Sequence, residues 1–382
     1  DRVDFGPMAK ILVIGAGMVG SAMVRDLAER HEVLSTDFSA AALEPLAKVK
    51  NVTTRRLDCT DAAAVQAAAA DADAVVCAVP GALGFQALTS LIEIGAKVAD
   101  ISFFPEDALE LDSLATQSGA VVVTDIGVAP GVDNLILGYH DAHMEVRRFE
   151  CLVGGLPIAR SFPFQYKAPF SPADVVEEYL RPARVYEHGR EVIKPALSEP
   201  EYLEFPGIGM LEAFNTDGLR SLIQTMPHIP DMVERTLRYP GHRELMLAFR
   251  ESGFFSDDPI DVNGVAVSPR AFTSKILFDQ WKLQPGEPEL TIMRVTVEGI
   301  ENGKPVRHVY HLDDRGDAAT QTSSMARTTG YTCTGMLECL LDGTWTAPGV
   351  TPPERVGQVD GLWEKIRAHL AARQVLLQHS VE

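Results

Sequence analysis

Residues 11–20 read Ile11-Leu12-Val13-Ile14-Gly15-Ala16-Gly17-Met18-Val19-Gly20, and this stretch decides the fold. Four apolar, mostly branched residues in a row are the pattern of a strand buried on both faces. The glycines then follow as Gly15-x-Gly17-x-x-Gly20 and open a helical stretch running through Glu29. Each has a separate physical task. Gly15 permits the tight turn, Gly17 lets backbone approach a pyrophosphate, and Gly20 lets the helix lie close on the strand. The amides of Met18 and Val19 at the helix start are then free to face phosphates. Asp37 ends the next predicted strand. A carboxylate there accepts hydrogen bonds from both hydroxyls of an adenosine ribose and repels a 2′-phosphate, so the expected cofactor is NAD rather than NADP. The competing reading of Asp37 is a cap on the helix that begins at Ala40.

Outward from this unit the pattern alternates. Strands are predicted at Glu32–Thr36, Val52–Leu57, Ala74–Ala78, Lys97–Asp100 and Val121–Thr124, with helical segments between them, such as Ala62–Ala70. Strands separated by helices imply right-handed crossovers and a parallel sheet. The expected fold class is therefore α/β, a doubly wound Rossmann sheet over residues 8–142. Beyond Glu145 the chain carries more Pro, Gly and aromatic residues, and strands are predicted at Arg148–Val153, Leu290–Val297 and Val306–Leu312. Asn302-Gly303 between the last two is a hairpin signal. Residues 143–319 are read as a second α/β domain with a mixed, largely antiparallel sheet, whose middle (Ser171 to Phe249) shows helix and loop segments in no evident order. Residues 320–382 are expected to form helices that return to the first domain. One of these covers Thr320–Leu341, and another covers Gly361–Arg373, after a break at Pro352 and Pro353.

Bulk properties narrow the function. The chain has 382 residues, 46% hydrophobic and 23% charged, enough for two packed cores. Its net charge is −19, with 53 acidic residues against 34 Lys and Arg, so nucleic acid and anionic membranes are poor partners. The five cysteines (Cys59, Cys77, Cys151, Cys333 and Cys339) form no CxxC pair, which speaks against a disulfide framework or structural zinc and suits a reducing cytoplasm. No metal site is expected. No apolar run reaches membrane-spanning length. Asp1–Pro7 precede Met8 without signal-peptide character, and Met8 is expected to be the natural start. No HExxH, GxSxG or Walker motif occurs.

Several polar positions are candidates for chemistry, each with a plainer alternative. Asp58 ends the third strand, where it either borders the adenine or caps the next helix with Thr60 and Asp61. Ala78 and Pro80 follow the fourth strand at the expected topological switch and should flank the nicotinamide half. Asp125 and Gly131 bracket the loop Asp125-Ile126-Gly127-Val128-Ala129-Pro130-Gly131. Free amides there suit an anionic group, and Asp125 suits a substrate amine or a helix cap. Lys167, beside Tyr166, is a proton acceptor if buried, and otherwise a solvated lysine. Arg238 suits a carboxylate clamp, and His242 an acid or base near neutral pH. Thr328 offers a hydroxyl on a helix, or bonds back to its own backbone.

The ordered set GAGMVG, CAVPG, DIGVAPG, VGGLP, FQYK…SP, LEAFNTDG, TLRYPGH and MARTTGYT resembles the saccharopine dehydrogenase family, nearest to its L-lysine 6-dehydrogenase branch. The resemblance runs from about Lys10 to Tyr331. It implies a Rossmann domain followed by an α/β domain that also supports homodimers or higher oligomers. It implies oxidation of a small amino acid, namely NAD-dependent deamination of the lysine ε-amine to 2-aminoadipate 6-semialdehyde. It also implies that Arg238 holds a substrate carboxylate, that Tyr166 and Lys167 face a cleft, and that the helix start at Gly131 faces the substrate. Saccharopine-handling relatives often read DPGIDH where this chain has Ala129-Pro130-Gly131-Val132-Asp133-Asn134, a departure that favours the lysine branch. The alternatives left open are a saccharopine or carboxynorspermidine dehydrogenase and a non-catalytic NAD sensor.

Overall fold

The computed structural model describes residues 8–170, 172–284 and 286–382; Asp1–Pro7 and the Ser171 of the FQYK…SP motif lie outside them. The chain divides into two compact units. The first runs to His143 and resumes over Ala326–Leu376; the second covers Met144–Met325 and Leu377–Glu382.

The first unit begins with β1 (Lys10–Ile14), α1 (Met18–Ala28), β2 (Glu32–Asp37), α2 (Ala40–Leu43), β3 (Val52–Arg56), α3 (Ala62–Ala69), β4 (Ala74–Cys77), α4 (Gly81–Ile92), β5 (Lys97–Asp100), α5 (Asp112–Ser118), β6 (Val121–Val123) and α6 (Val132–His143). All strand pairs here are parallel, and β4, not β2's successor β3, lies on the far side of β1. This order reversal places the switch point between β1 and β4, where a doubly wound sheet opens a crevice at its carboxyl edge. Leu12, Ile14, Val75, Val98 and Val122 from the strands pack with Val65, Leu88 and Leu91 from the helices in one core, all nearly or fully buried. Each such side chain contributes roughly 1.5–3 kcal/mol by leaving water.

The second unit contains β7 (Glu145–Pro157), α7 (Pro172–Leu180), β8 (Ala183–Glu187), β9 (Arg190–Lys194), β10 (Glu201–Phe205), β11 (Gly209–Asn215), α8 (Leu222–Thr225), β12 (Asp231–Arg238), α9 (His242–Glu251), β13 (Ile260–Val262), β14 (Val265–Val267), α10 (Pro269–Trp281), β15 (Glu289–Glu301) and β16 (Lys304–Arg315). Its main sheet is mixed and largely antiparallel, with β12 and β7 the parallel pair. The Asn302-Gly303 signal is realised. Both residues have positive φ (50° and 77°) and join β15 to β16, the backbone that a two-residue hairpin turn requires. The stretch in which the sequence showed no order holds five strands, β8 to β12. Strands β9 and β10 lie at margins of the sheet with mostly exposed or half-exposed residues, so they lack the apolar alternation that betrays a strand.

The return into the first unit is made by α11 (Ser324–Leu341), β17 (Gly349–Thr351), α12 (Pro353–Gly357) and α13 (Leu362–Ala372). Strand β17 pairs in parallel with β6 and completes a seven-stranded sheet of order β17-β6-β5-β4-β1-β2-β3. The helix expected from Thr320 begins at Ser324. The residues before it form a tight turn, with Asp317 and Thr322 exchanging backbone hydrogen bonds. A last strand, β18 (Leu377–Val381), pairs with β16 in the second unit's sheet. No helix among the described residues is long and apolar enough to cross a membrane.

Candidate active site

The turn between β1 and α1 has the geometry its glycines call for. Gly15 sits at φ +104°, and a Cβ there would lie 2.2 Å from the Ala78 carbonyl oxygen. A Cβ on Gly20 would lie 2.1 Å from the Gly15 carbonyl oxygen. At Gly17 a Cβ would meet nothing within 4 Å. Two glycines are therefore demanded by the protein's own packing, while Gly17 borders open space, as backbone that receives a ligand must. Gly17 also caps α1 with no side-chain acceptor, leaving the first amides of α1, at Met18 and Val19, to a ligand.

Asp37 closes this turn from the side. Its Oδ2 accepts the Ala16 amide at 2.7 Å and its Oδ1 accepts the Ser39 amide at 2.7 Å. The cap on α2 is instead Ser39, whose hydroxyl accepts from the Ala42 amide. The helix-cap alternative for Asp37 therefore falls to its neighbour. Asp58 goes the other way. Its Oδ1 accepts both the amide and the hydroxyl of Thr60, bonds that lower its pKa, and Asp61 caps α3. The turn explains Asp58 without a cofactor. Ala78 and Pro80 lie where β4 gives way to α4, and Pro80 caps α4 with no side-chain acceptor.

The loop after β6 departs from expectation. The Gly131 amide donates to Asp133 Oδ1 at 3.0 Å and Asn134 Oδ1 at 3.1 Å, and the Val132 amide donates to the Gly127 carbonyl. The amides of Gly131 and Val132 are therefore already engaged within the loop. Asp125 is 7% exposed with φ +53°, a backbone conformation uncommon outside glycine. Thr328 is buried on α11, and its carbonyl accepts the Thr332 hydroxyl.

Sequence reasoning missed the residue beside Asp125. Asp100, the last residue of β5, is fully buried, and neither carboxyl oxygen has a hydrogen-bond partner of good geometry among the described residues. Burial raises its pKa to about 7; the Asp125 charge pushes the same way and the Ser102 hydroxyl the other. Cys77, opposite Asp100 on β4, lies 3.6 Å from the Ser102 hydroxyl. The available signal was the acid ending an otherwise apolar strand, Lys97-Val98-Ala99-Asp100.

The second unit gathers Tyr166, Arg238 and His242 with two residues not singled out from the sequence, Glu178 and Tyr179. Arg238 donates from Nε to the Tyr179 hydroxyl at 3.0 Å and from Nη2 to Glu178 Oε2 at 3.2 Å, and its guanidinium lies 4.6 Å from the Tyr166 ring centre. His242 holds the Phe164 carbonyl through Nδ1 at 2.9 Å and the Tyr179 hydroxyl through Nε2 at 3.0 Å. Burial, with the Arg238 charge adding to it, lowers the His242 pKa to about 3, so the ring stays neutral. Burial raises the Glu178 pKa to about 7 against the opposing pull of Arg238. These contacts correct two expectations. Arg238 is 3% exposed and bound to protein groups, so it anchors a buried network instead of presenting an open carboxylate clamp. His242 has both nitrogens engaged and does not serve as a base near neutral pH. Lys167 is corrected too. Its Nζ donates to the carbonyls of Gln280 and Lys282 and lies 3.9 Å from Glu287, which caps the end of α10.

Residues 127–375 match the saccharopine dehydrogenase C-terminal domain, and residues 11–123 match the saccharopine dehydrogenase NADP binding domain. The chain belongs to the saccharopine dehydrogenase family. It is 24% identical over 435 residues to the NADP(+)-dependent, L-glutamate-forming saccharopine dehydrogenase of Pyricularia oryzae, covering 94% of this chain and 96% of that one. The enzyme of the same name from Saccharomyces cerevisiae is 27% identical over 269 residues, covering 66% of this chain and 60% of the relative. Among solved structures, apo saccharopine dehydrogenase (L-Glu forming) from Saccharomyces cerevisiae superposes with a TM-score of 0.80 at 20% identity, covering 98% of this chain and 100% of that one. Homospermidine synthase from Legionella pneumophila, solved with NAD, gives 0.66 at 11% identity, covering 99% and 92%. These likenesses show the fold. A family oxidoreductase with a pyridine-nucleotide-binding Rossmann unit is thus in hand, while the matched domain is described by NADP and the sequence pointed to NAD.

Proposed function

We propose that this saccharopine dehydrogenase family member uses NAD to oxidise the ε-amine of L-lysine, giving 2-aminoadipate 6-semialdehyde and ammonia. The observation that carries the cofactor choice is Asp37. Its carboxylate is fixed by two backbone amides beside the glycine turn, in the position that meets an adenosine ribose. A 2′-phosphate there would face a negative charge. The uncapped start of α1 would hold the pyrophosphate, and the open space over Gly17 admits it. When bound, NAD supplies the hydride acceptor. Asp125, at the carboxyl edge of the sheet, is the residue placed to attract a substrate ammonium. The choice of lysine is supported by the order of motifs and by Ala129-Pro130-Gly131 in the loop after β6.

A second reading is favoured by the relatives, which are L-glutamate-forming saccharopine dehydrogenases, namely oxidation of saccharopine to release glutamate. The two separate in one assay. Purified protein is given NAD or NADP with lysine, saccharopine, ornithine or glutamate, and nicotinamide reduction and ammonia are followed. Reduction of NAD with lysine and ammonia release is the expected result. Reduction with saccharopine and glutamate release moves the chain to the second reading. A preference for NADP that persists in Asp37→Ser would remove the argument from Asp37.

A further inference from the structure

We propose that Asp100, at the carboxyl edge of the first unit, stores the proton that a substrate ammonium releases. The inference rests on reading that edge as the place where an amine is oxidised.

The geometry is specific. Asp100 ends β5 opposite Cys77 on β4, and its carbonyl accepts the amide of Ile126, the residue after Asp125. The loop carrying Asp125 is thus tied to the end of β5, where its charge acts on Asp100. Burying an ionised carboxylate whose nearby donors, Ser102 and Cys77, are poorly aligned costs several kcal/mol, so a site like this holds a proton or receives a cation. Among the described residues, the groups that act on Asp100 include Cys77 from β4, Ser102 from its own strand end, Asp125 from the β6 loop and Cys333 from α11, and none of these is cationic. Burial, with the Asp100 charge adding to it, raises the thiols of Cys77 and Cys333 well above their usual range, so they stay neutral. Asp125 is the acidic group among these, and its charge makes ionising Asp100 costlier still.

The proton balance follows. An alkylammonium bound at Asp125 must lose one proton before its nitrogen lone pair can form the C=N bond as the hydride leaves carbon with its electron pair. That proton passes from the ammonium to Asp100 and rests there. The hydride is taken by the nicotinamide cofactor of the family's reaction. The proton returns to solvent when Asp100 ionises again.

The test is an infrared titration of the NAD-loaded protein without amine, following the carbonyl stretch of protonated carboxylic acids. Glu178 also holds its proton up to about pH 7, so the readout is the difference between parent and variant. A component lost with a midpoint near pH 7 is expected to be missing from Asp100→Asn, and its midpoint should move to lower pH in Asp125→Asn, where the neighbouring charge is gone. A parent-minus-Asp100→Asn difference with no acid band titrating between roughly pH 6 and 8 overturns the inference. These arms use no substrate, so they stand apart from the choice between lysine and saccharopine. With a working substrate, Asp100→Asn should lower kcat at least tenfold and flatten the neutral limb of the pH–rate profile, with cofactor affinity unchanged. An unaltered pH profile in that variant counts against the role.

Discussion

The glycine turn after β1 and the cluster around Arg238 both concentrate unusual residues, but they spend them differently. At the turn, Gly17 borders open space and α1 begins with no side-chain cap, so donors are left over for something outside the chain. Around Arg238 the polar contacts lead back into the protein: Glu178, Tyr179, His242 and two backbone carbonyls form one connected network, with the buried Tyr166 hydroxyl beside it left without a well-aligned partner. Residue type does not separate a binding site from a buried polar core. Unspent hydrogen-bonding capacity that opens to solvent does.

Breaking the network should give the largest effect. Arg238→Ala strands Glu178, Tyr179 and the Leu237 carbonyl, and should cost about 3 kcal/mol in denaturant unfolding. That is the lower end for a broken buried pair, because the Glu178 side chain keeps 21% of its surface exposed. A variant as stable as the parent, with a raised KM for the amino acid alone, would restore Arg238 as a carboxylate clamp. On the other side of the comparison, Gly17→Ala places its added Cβ in open space, so its midpoint of unfolding should hardly move. Its cofactor affinity, read by nicotinamide fluorescence, should fall about 100-fold, equivalent to about 2.7 kcal/mol. Loss of stability in place of affinity would mean that Gly17 serves packing like Gly15 and Gly20.

The network also has a pH signature. The His242 pKa is depressed to about 3 from an ordinary 6.5, so between these values the unfolded chain binds the extra proton and stability rises with pH. The slope from this residue is about 1.4 kcal/mol per pH unit. The Glu178 pKa is raised to about 7 from 4.5, so over that window the folded state holds the extra proton and stability falls as pH rises. The two oppose between 4.5 and 6.5, and only His242 acts below 4.5. Comparing His242→Gln with the parent isolates the histidine. The variant should lose less stability on acidification, and identical acid profiles would mean that the ring is not held neutral.

What was legible follows from the range of the interactions. The turn at Gly15–Gly20, Asp37 and the hairpin at Asn302-Gly303 rest on local backbone geometry, which a short stretch of sequence specifies by itself. Strands β9 and β10 gave no pattern because marginal strands have no two-sided burial to enforce one. Asp100 and Glu178 went unnoticed because their significance lies in neighbours distant in sequence, Asp125 for one and Arg238 for the other. His242 and Lys167 were singled out by type, and their partners, Phe164 and Gln280, became visible only in the fold.

Lys167 carries the smallest prediction and the cleanest contrast with the turn. Its ammonium closes the end of α10 through two carbonyls, a cap whose side chain remains partly in water. Such caps contribute on the order of 1 kcal/mol or less. Lys167→Met keeps the aliphatic stem and removes only the charge. It should therefore lower stability by less than about 1 kcal/mol and leave the rate within twofold. If kcat instead fell a hundredfold in a folded variant, the lysine would be moving a proton. The second unit would then hold chemistry of its own, and unspent capacity would no longer distinguish the two regions.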